Sequence, residues 1–533
     1  MKRRYILFFS FILVISIILG ACTGQSTDTS KESDDVVEDD GEVSKEGGIM
    51  TFGIGSDPAV MNPLYADDRV TLTITNSLYD YLYTVVDGET RFVLAESMEP
   101  SDDYLTYTMK LREDVKWHDG EIFNADDVIF TFDTILEESQ TTKYRSSLIF
   151  NDEPIKVTKT DDFTVEFELP EVSVPFFNTV AGIKPIPKHV FEGEEEIEKS
   201  SKNNTPIGTG PFKFKDMKSG ESVELERNED YFGDLAYLDS IVYQVIADPN
   251  ASMIALEDGE IGASYIDAKD YDKYDGNDQF ETYKFSEGML NNMIFRFNNE
   301  YLQNKKVRQA IAYGINKEEM LEAAYGSEEF ADLAYSPFVP STLYYTDDVE
   351  QYEYDVEKAK ELLEEAGAED IKLRLMYTSG SDEQEKQALI MEQQLKEIGI
   401  ELDILPTERG AFLDKFLDPE NEDFDLAYNG FVMGSEPNAY GPLFTSGDAN
   451  NYMLYENEEI DNLFSDGVVE TDESKRQEIY EDIQQILIDD MVIYPITYPK
   501  SLVTTNAKYK GIEEAETAPI FMFRNMNKIY IEE

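Results

Sequence analysis

The sequence predicts an α/β architecture with mixed sheets. Short stretches alternate apolar and polar side chains at the period of a half-buried strand: Leu105, Tyr107, Met109 and Leu111, then Phe163, Val165, Phe167 and Leu169, then Ile400, Leu402 and Ile404. Other stretches repeat apolar residues at helical spacing, as at Val356, Ala359, Leu362 and Leu363, or Ile479, Ile483, Ile486 and Leu487. Strands and helices alternate along the chain, the order of layered α/β domains. A chain of 533 residues is long enough for several such domains.

At the N-terminus, Lys2, Arg3 and Arg4 form a basic head. Residues 5–18 are an almost unbroken apolar run, short for a membrane span but suited to a secretory signal core. Leu19-Gly20-Ala21-Cys22 ends it and resembles a bacterial lipobox, which implies removal of residues 1–21 and lipidation of Cys22 by acyl chains. Two acyl chains hold a protein on a membrane stably. Cys22 is the chain's one cysteine, so the mature domain has no disulfide and depends on its core. Residues 22–46 are rich in Ser, Thr, Asp and Glu, a composition that buries too little to fold, and read as a disordered acidic tether. No later apolar run reaches spanning length.

The 111 acidic residues outnumber the 45 basic ones to give a net charge of −66. That excludes the basic footprint a nucleic acid needs. It also repels anionic head groups, leaving membrane attachment to the lipid. Most of these carboxylates read as solvated surface; adaptation to an ionic or alkaline exterior is the alternative.

The folded part begins with a strand at Ile49–Ile54. Gly53 and Gly55 open a glycine pattern that Pro58 interrupts, so this is a turn and not a nucleotide loop. After the strand ending at Leu111, His118-Asp119-Gly120 supplies a turn. Asn124 is placed to cap a helix whose first turn holds Asp126 and Asp127, where the helix dipole favours anions. Val128, Phe132, Ile135 and Leu136 continue it. Residues 205–214, TPIGTGPFKF, need positive φ at glycine and a fixed proline. Ile241, Tyr243 and Val245 make a strand, and residues 251–256 start a short helix ending near Gly259. Val307, Ala310, Ile311, Gly314 and Ile315 fall on one helical face. Asp355 caps a helix that Gly367 stops; Gly399 stops another carrying Ala388, Met391, Leu395 and Ile398. Phe424 begins a further strand.

Residues 95–133, AESMEPSDDYLTYTMKLREDVKWHDGEIFNADDVIFTFD, closely resemble the signature region of the family 5 extracellular solute-binding proteins. Those are the oligopeptide- and dipeptide-binding components of ABC importers. Met61-Asn62-Pro63-Leu64 and residues 205–214, 228–259 and 304–322 resemble further segments of that family, in the same order. The resemblance covers nearly all of the chain after the tether. It implies a two-lobed, periplasmic-binding-protein-like fold with mixed sheets, an inserted extra domain in the first lobe, and ligand enclosed between lobes by hinge closure. The implied division gives residues 47–78, 205–288 and 497–533 to the core of lobe I, 79–204 to the inserted domain and 289–496 to lobe II. Crossovers are expected near residues 285–298 and 491–497.

Enzyme chemistry finds little support. The two histidines, His118 and His189, sit in the sequences WHDG and PKHV, and no GxSxG, HExxH, P-loop or CxxC pattern is present. With so many carboxylates, no particular acidic pair carries information. No catalytic residue, metal or cofactor is therefore expected.

Binding is better supported. An extended peptide offers a backbone for strand-like pairing and a cationic amino end for a placed acid. In peptide-binding members of the family that acid follows a Gly-Trp pair at the end of a strand, and the resemblance puts the matching place at residues 429–438, NGFVMGSEPN. Phe431 stands where Trp is usual, after Gly430. Met433 or Gly434 occupies the usual acid position, and Glu436 is the nearest acid. Either Glu436 takes over the ammonium or the ligand is not gripped by a free amine. Tyr428, Phe431 and Tyr440 flank this loop as a candidate aromatic wall. Asn291, Asn292 and Asn298 lie at the first crossover and are candidates for pairing with ligand backbone.

The expectation is a monomeric, lipid-anchored receptor on the extracellular face of the cell membrane. It captures oligopeptides and delivers them to the permease and ATPase subunits of an ABC transporter. The alternative keeps the scaffold and binds an oligosaccharide, a metal chelate or a signalling peptide.

Overall fold

The computed structural model describes residues 45–532, apart from Asp87 and Met433. The signal segment, Cys22 and the tether through residue 44 lie outside the described residues.

The first lobe opens with β1 (Ile49–Ile54), which buries Met50, Phe52 and Ile54. α1 (Arg69–Leu78) follows, capped by the Asp68 carboxylate, which accepts the Thr71 N–H at 2.9 Å. The chain then enters an inserted four-stranded antiparallel sheet. Its strands are β2 (Ala95–Pro100), β3 (Thr106–Leu111), β4 (Lys156–Asp161) and β5 (Thr164–Glu168), ordered β2-β3-β5-β4. α2 (Ala125–Leu136) packs on this sheet, with Phe132 edge-on to Phe167 at 5.0 Å. The expected cap is present: Asn124 accepts the Asp126 N–H at 2.8 Å while the Asp127 carboxylate reaches back to the Asn124 N–H. Asp127 also accepts from the buried Trp117 indole at 3.1 Å and from the Lys188 N–H at 2.9 Å. One buried carboxylate thus ties strand end, turn and helix together.

His118 joins this insert to the returning chain. Its Nδ1 accepts the Gly208 N–H and its Nε2 faces the Gly210 carbonyl, each at 3.1 Å. The glycines are required by crowding and not by the positive φ expected of them, which neither Gly208 nor Gly210 takes. A Cβ on Gly208 would lie 1.8 Å from the Leu78 carbonyl oxygen, and one on Gly210 would lie 2.5 Å from that of Ser77.

From here β6 (Phe212–Lys218), β7 (Ser222–Arg227) and β8 (Ser240–Val245) return beside β1, which pairs in parallel with β8 from Ile49↔Ser240 to Ile54↔Val245. β9 (Ala263–Ile266) and β10 (Phe280–Ser286) complete the first lobe.

The second lobe starts two residues later with β11 (Met289–Phe295). The helix expected through Ile315 is two helices, α3 (Lys305–Tyr313) and α4 (Lys317–Tyr325). Asn316 caps the second by accepting the Glu319 N–H at 3.0 Å, and Gly314 lies where a Cβ would meet Ile398 at 2.7 Å. The break is a packing constraint that periodicity alone does not register. β12 (Ala331–Leu333), α5 (Val356–Ala366), β13 (Lys372–Thr378), α6 (Asp382–Glu397), β14 (Glu401–Thr407) and β15 (Leu426–Val432) follow. Asp355 and Ser381 cap α5 and α6, and Gly367 and Gly399 end them at positive φ. The sheet is covered on both faces, with Met293 and Phe295 in one core cluster and Leu290 and Ile294 in the other. α7 (Glu458–Val469) and α8 (Glu473–Asp489) lead into the last long strand, β16 (Ile493–Asn506).

β16 belongs to both lobes. Its first half pairs with β11 (Asn291↔Thr497, Ile294↔Ile493), and its second half pairs with β9 and β10 (Ala263↔Thr505, Ser286↔Lys500). The continuous order is β6-β7-β8-β1-β9-β16-β11-β15-β13-β14, with β10 and β12 also on β16. This is a two-lobed α/β fold with mixed sheets.

The junction at His118 generates a pH prediction. Burial pushes the His118 pKa from the ordinary 6.5 down to about 4. As pH falls through 6.5 the unfolded chain takes up a proton that the folded chain refuses until about 4. Stability therefore drops across that window, by roughly 3 kcal/mol at about 1.4 kcal/mol per pH unit. The wild-type advantage in urea-unfolding free energy over His118→Asn should shrink as pH is lowered from about 7 to about 4.5. Parallel curves for the two proteins would refute this account.

Candidate functional site

A cleft of about 820 Å³ separates the insert of the first lobe from the second lobe. That volume falls in the range of roughly 300–1,000 Å³ typical of small-ligand sites. One wall comes from residues 81–85, 144–150 and 173–182, the other from residues 434–442 and Val468, and Arg524 of the C-terminal segment also reaches it. Hydroxyls are frequent on the lining: Thr84, Ser146, Ser147, Ser173, Thr179 and Ser435. A hydroxyl both donates and accepts, so such a wall can pair with amide groups whatever side chains they carry. Val85, Ile149, Phe150 and Val468 supply apolar contact.

Glu436 is the one carboxylate among the described lining residues. It caps the short turn Pro437–Tyr440 by accepting the Asn438 N–H at 3.1 Å. The same oxygen, Oε1, meets Arg476 Nη2 at 2.5 Å, and Oε2 accepts from Asn178 Nδ2 at 2.7 Å. The side chains of Glu436 and Arg476 are 12% and 3% exposed. Arg476 is further fixed by the Gly467 carbonyl at 2.8 Å and lies over the rings of Tyr480 and Tyr344. The Glu436 charge is thus already matched by a buried guanidinium. Its second oxygen crosses to the first lobe, where the Val174 N–H also donates to the Val468 carbonyl at 2.8 Å.

The remaining expected site residues separate. Gly434 lines the cleft, and its carbonyl accepts from Thr342. Gly430 and Asn291 face each other across β15 and β11, with Asn291 donating to Tyr325 at 2.9 Å. Asn292 is fully buried, donates to the Leu290 carbonyl and leaves Oδ1 without a partner. Asn298 sits in an exposed turn beyond β11, off the cleft lining. The aromatic wall expected from Tyr428, Phe431 and Tyr440 is elsewhere. All three rings are in the core, 3%, 6% and 0% exposed: Tyr428 and Phe431 lie on β15, which is covered on both faces, and Tyr440 ends the Pro437–Tyr440 turn with its ring 4.2 Å from that of Phe338. Met433 lies outside the described residues. His118 serves as the junction described above, and His189 pairs with Asp119 at 2.7 Å. Among the described residues, no group of three or more His, Cys, Asp or Glu side chains is placed to hold a metal ion.

The model for bacterial extracellular solute-binding proteins, family 5 middle region, matches residues 90–452. The chain belongs to this family. The oligopeptide-binding protein AppA of Bacillus subtilis is 31% identical over 541 residues, spanning 96% of each chain. Among solved structures, the ABC transporter substrate binding protein CtaP from Listeria monocytogenes matches with TM-score 0.89 at 43% identity, over 92% of this chain and all of that one. Bacillus subtilis AppA in complex with a nonapeptide matches with TM-score 0.75 at 29% identity, over 92% and 99%.

In this family 5 solute-binding protein the match ends at residue 452, so Arg476 and Arg524 lie beyond it. Neither was singled out by sequence motifs. Arg476 carries a readable signal: it shares spacing with Tyr480, Ile483 and Leu487 on the buried face of α8, where a charge needs a partner. Asn178 stands in a six-residue helix, Phe176–Ala181, too short to show a sustained period, and Arg524 in an irregular segment.

Removing Arg476 should leave Glu436 buried and unpaired. Arg476→Met is expected to lower the urea-unfolding free energy by about 3–5 kcal/mol, and adding Glu436→Gln should recover part of that loss. A double variant as unstable as the sum of the singles would show that the pair is not coupled.

Proposed function

We propose that this chain is the substrate receptor of an ABC importer, capturing oligopeptides outside the cell and presenting them to the permease. The observation that carries the reading is the hydroxyl-lined cleft of about 820 Å³ between two lobes joined by a shared strand. Such a cleft offers sequence-tolerant pairing to a peptide backbone, and closure of the lobes supplies the enclosure. The relatives support the ligand class: two carry the printed names oligopeptide-binding protein and dipeptide-binding protein. The receptor contributes binding and closure, and the importer's ATPase drives transport. Lipidation at Cys22 would hold it, as a monomer, on the outer face of the membrane. No helix among the described residues is long and apolar enough to cross one.

Glu436 takes the role of a clasp between lobes in this reading. The single acid on the described lining is matched by Arg476, so a peptide ammonium has to compete with a buried guanidinium for it. That observation keeps a second reading in play, in which the solute is a non-peptide anion or chelate bound by the same scaffold.

Native mass spectrometry of the mature protein, expressed in rich medium and never denatured, distinguishes the two. A ladder of peptide masses released on activation is the expected result. One recurring non-peptide mass would overturn the peptide assignment and leave the transport role standing.

A further inference from the structure

The C-terminal segment brings an under-compensated cation to one end of the cleft. Arg524 lines both the main cleft and an adjoining pocket of about 150 Å³, and the two share Tyr81 and Thr84. Its backbone is held from both sides: its N–H donates to the Glu516 carbonyl at 2.9 Å, and its own carbonyl accepts from Asn76 at 3.0 Å. Its side chain has weaker support. Nε is buried with no hydrogen-bond partner, and the nearest carboxylate oxygen, on Glu516, is 3.5 Å away. Glu516 is committed elsewhere, taking both its bonds from Arg91 at 2.9 and 3.0 Å. Two guanidiniums therefore share one carboxylate, and Arg91 lines the adjoining pocket too.

The neighbouring charges do not cancel this excess. Lys184, buried over the Tyr81 ring at 4.2 Å, is balanced by Asp80. Lys143 donates to the Ala66 carbonyl; burial pulls the Lys184 pKa down, and the positive charges of Lys143 and Arg524 add to that. The backbone that delivers Arg524 is strained. Glu516, Ile520 and Met522 all sit at positive φ (52°, 74° and 64°), a region that β-branched isoleucine rarely enters. Strain of that kind persists where the surroundings impose it and is concentrated at binding sites.

We propose that Arg524, with Arg91 across the adjoining pocket, forms a carboxylate-binding subsite that orients the ligand at this end of the cleft. It rests on the peptide reading above and deepens it: the group received is the peptide's terminal carboxylate or an acidic side chain. The planar guanidinium fork suits a carboxylate, and the ligand supplies the charge that Glu516 does not. Recognition then runs through the anionic end of the ligand, since Glu436 is engaged by Arg476.

The test uses the mature protein with matched synthetic tri- to octapeptide pools, one ending in free carboxylate and one in amide. Retention is read by mass spectrometry after gel filtration. Wild type should retain the free-acid pool at least about tenfold over the amide pool, Arg524→Gln should lose that preference, and Arg524→Lys should keep part of it. If instead both pools are retained equally but peptides containing Asp or Glu are enriched in an Arg524-dependent way, the acidic side chain is the source of the carboxylate and the subsite stands. A preference unchanged in Arg524→Gln, or no preference for any carboxylate, overturns it. Should wild type retain no peptide at all, the peptide reading fails. Succinate then reports on the subsite separately, by protection against thermal unfolding that Arg524→Gln abolishes; no protection overturns the subsite as well.

Discussion

One strand shared by two sheets is the constraint on which the rest of this structure depends. β16 satisfies the backbone of β11 with its first half and of β9 and β10 with its second, so each lobe is closed by the same 14 residues. The other crossing, from β10 to β11, runs beside it through Glu287 and Gly288. Gly288 takes positive φ, and the buried Glu287 carboxylate is held by both Arg69 nitrogens at 2.9 Å. Pairing shifts at Asn291 and Asn292, opposite Pro495, a residue with no N–H to give a ladder. With both crossings side by side, small backbone rotations there would translate into large movements at the cleft rim. Glu436 with Asn178 and Val174 with Val468 are the bonds that such a movement would break and remake.

Buried charge in the second lobe is held before any ligand arrives, in part by carboxylates and in part by carbonyls alone, as at Arg296 and Arg308, which are 0% and 3% exposed and bond only backbone carbonyl oxygens. Arg476 meets Glu436, and Arg374 meets Asp425 through two side-chain bonds at 2.9 Å. Lys317, fully buried between Tyr335 and Tyr494, donates to the Ala334 carbonyl at 2.7 Å, and burial pulls its pKa down to about 7. Such pairs add little net stability against an apolar alternative, yet removing one partner is costly. Of these groups Glu436 alone lines the cleft, and its match with Arg476 leaves no free carboxylate among the described lining residues.

What the sequence made legible follows from what local rules encode. Strand periods, the Asn124 and Asp355 caps and the Gly367 and Gly399 stops are all short-range, and the structure has them. The division between Tyr313 and Lys317 was not legible, because Gly314 is fixed by Ile398 from a distant helix. Tyr428, Phe431 and Tyr440 read as a wall because they flank the loop in sequence, and adjacency in sequence does not say whether a ring faces the cleft or the core. In β15 both faces are covered by core. The pairing of Glu436 needed a partner 40 residues away on α8, and Arg524 arrives from a segment whose irregular backbone has no period to detect.

An excess of 66 negative charges, taken alone, opposes an anionic end on the ligand. Screening decides otherwise. At physiological ionic strength charges farther than about 8 Å are largely damped when exposed, so the acidic surface acts weakly on a group already inside the cleft. What such a group meets there is the local set: Arg524 and Arg91 sharing one carboxylate, Lys184 balanced by Asp80, and Glu436 neutralised by Arg476. Inside a partly water-excluded site those few charges weigh far more than the many outside. The acidic exterior then keeps the protein soluble, while the sign of the site is set by three or four side chains delivered from opposite ends of the chain.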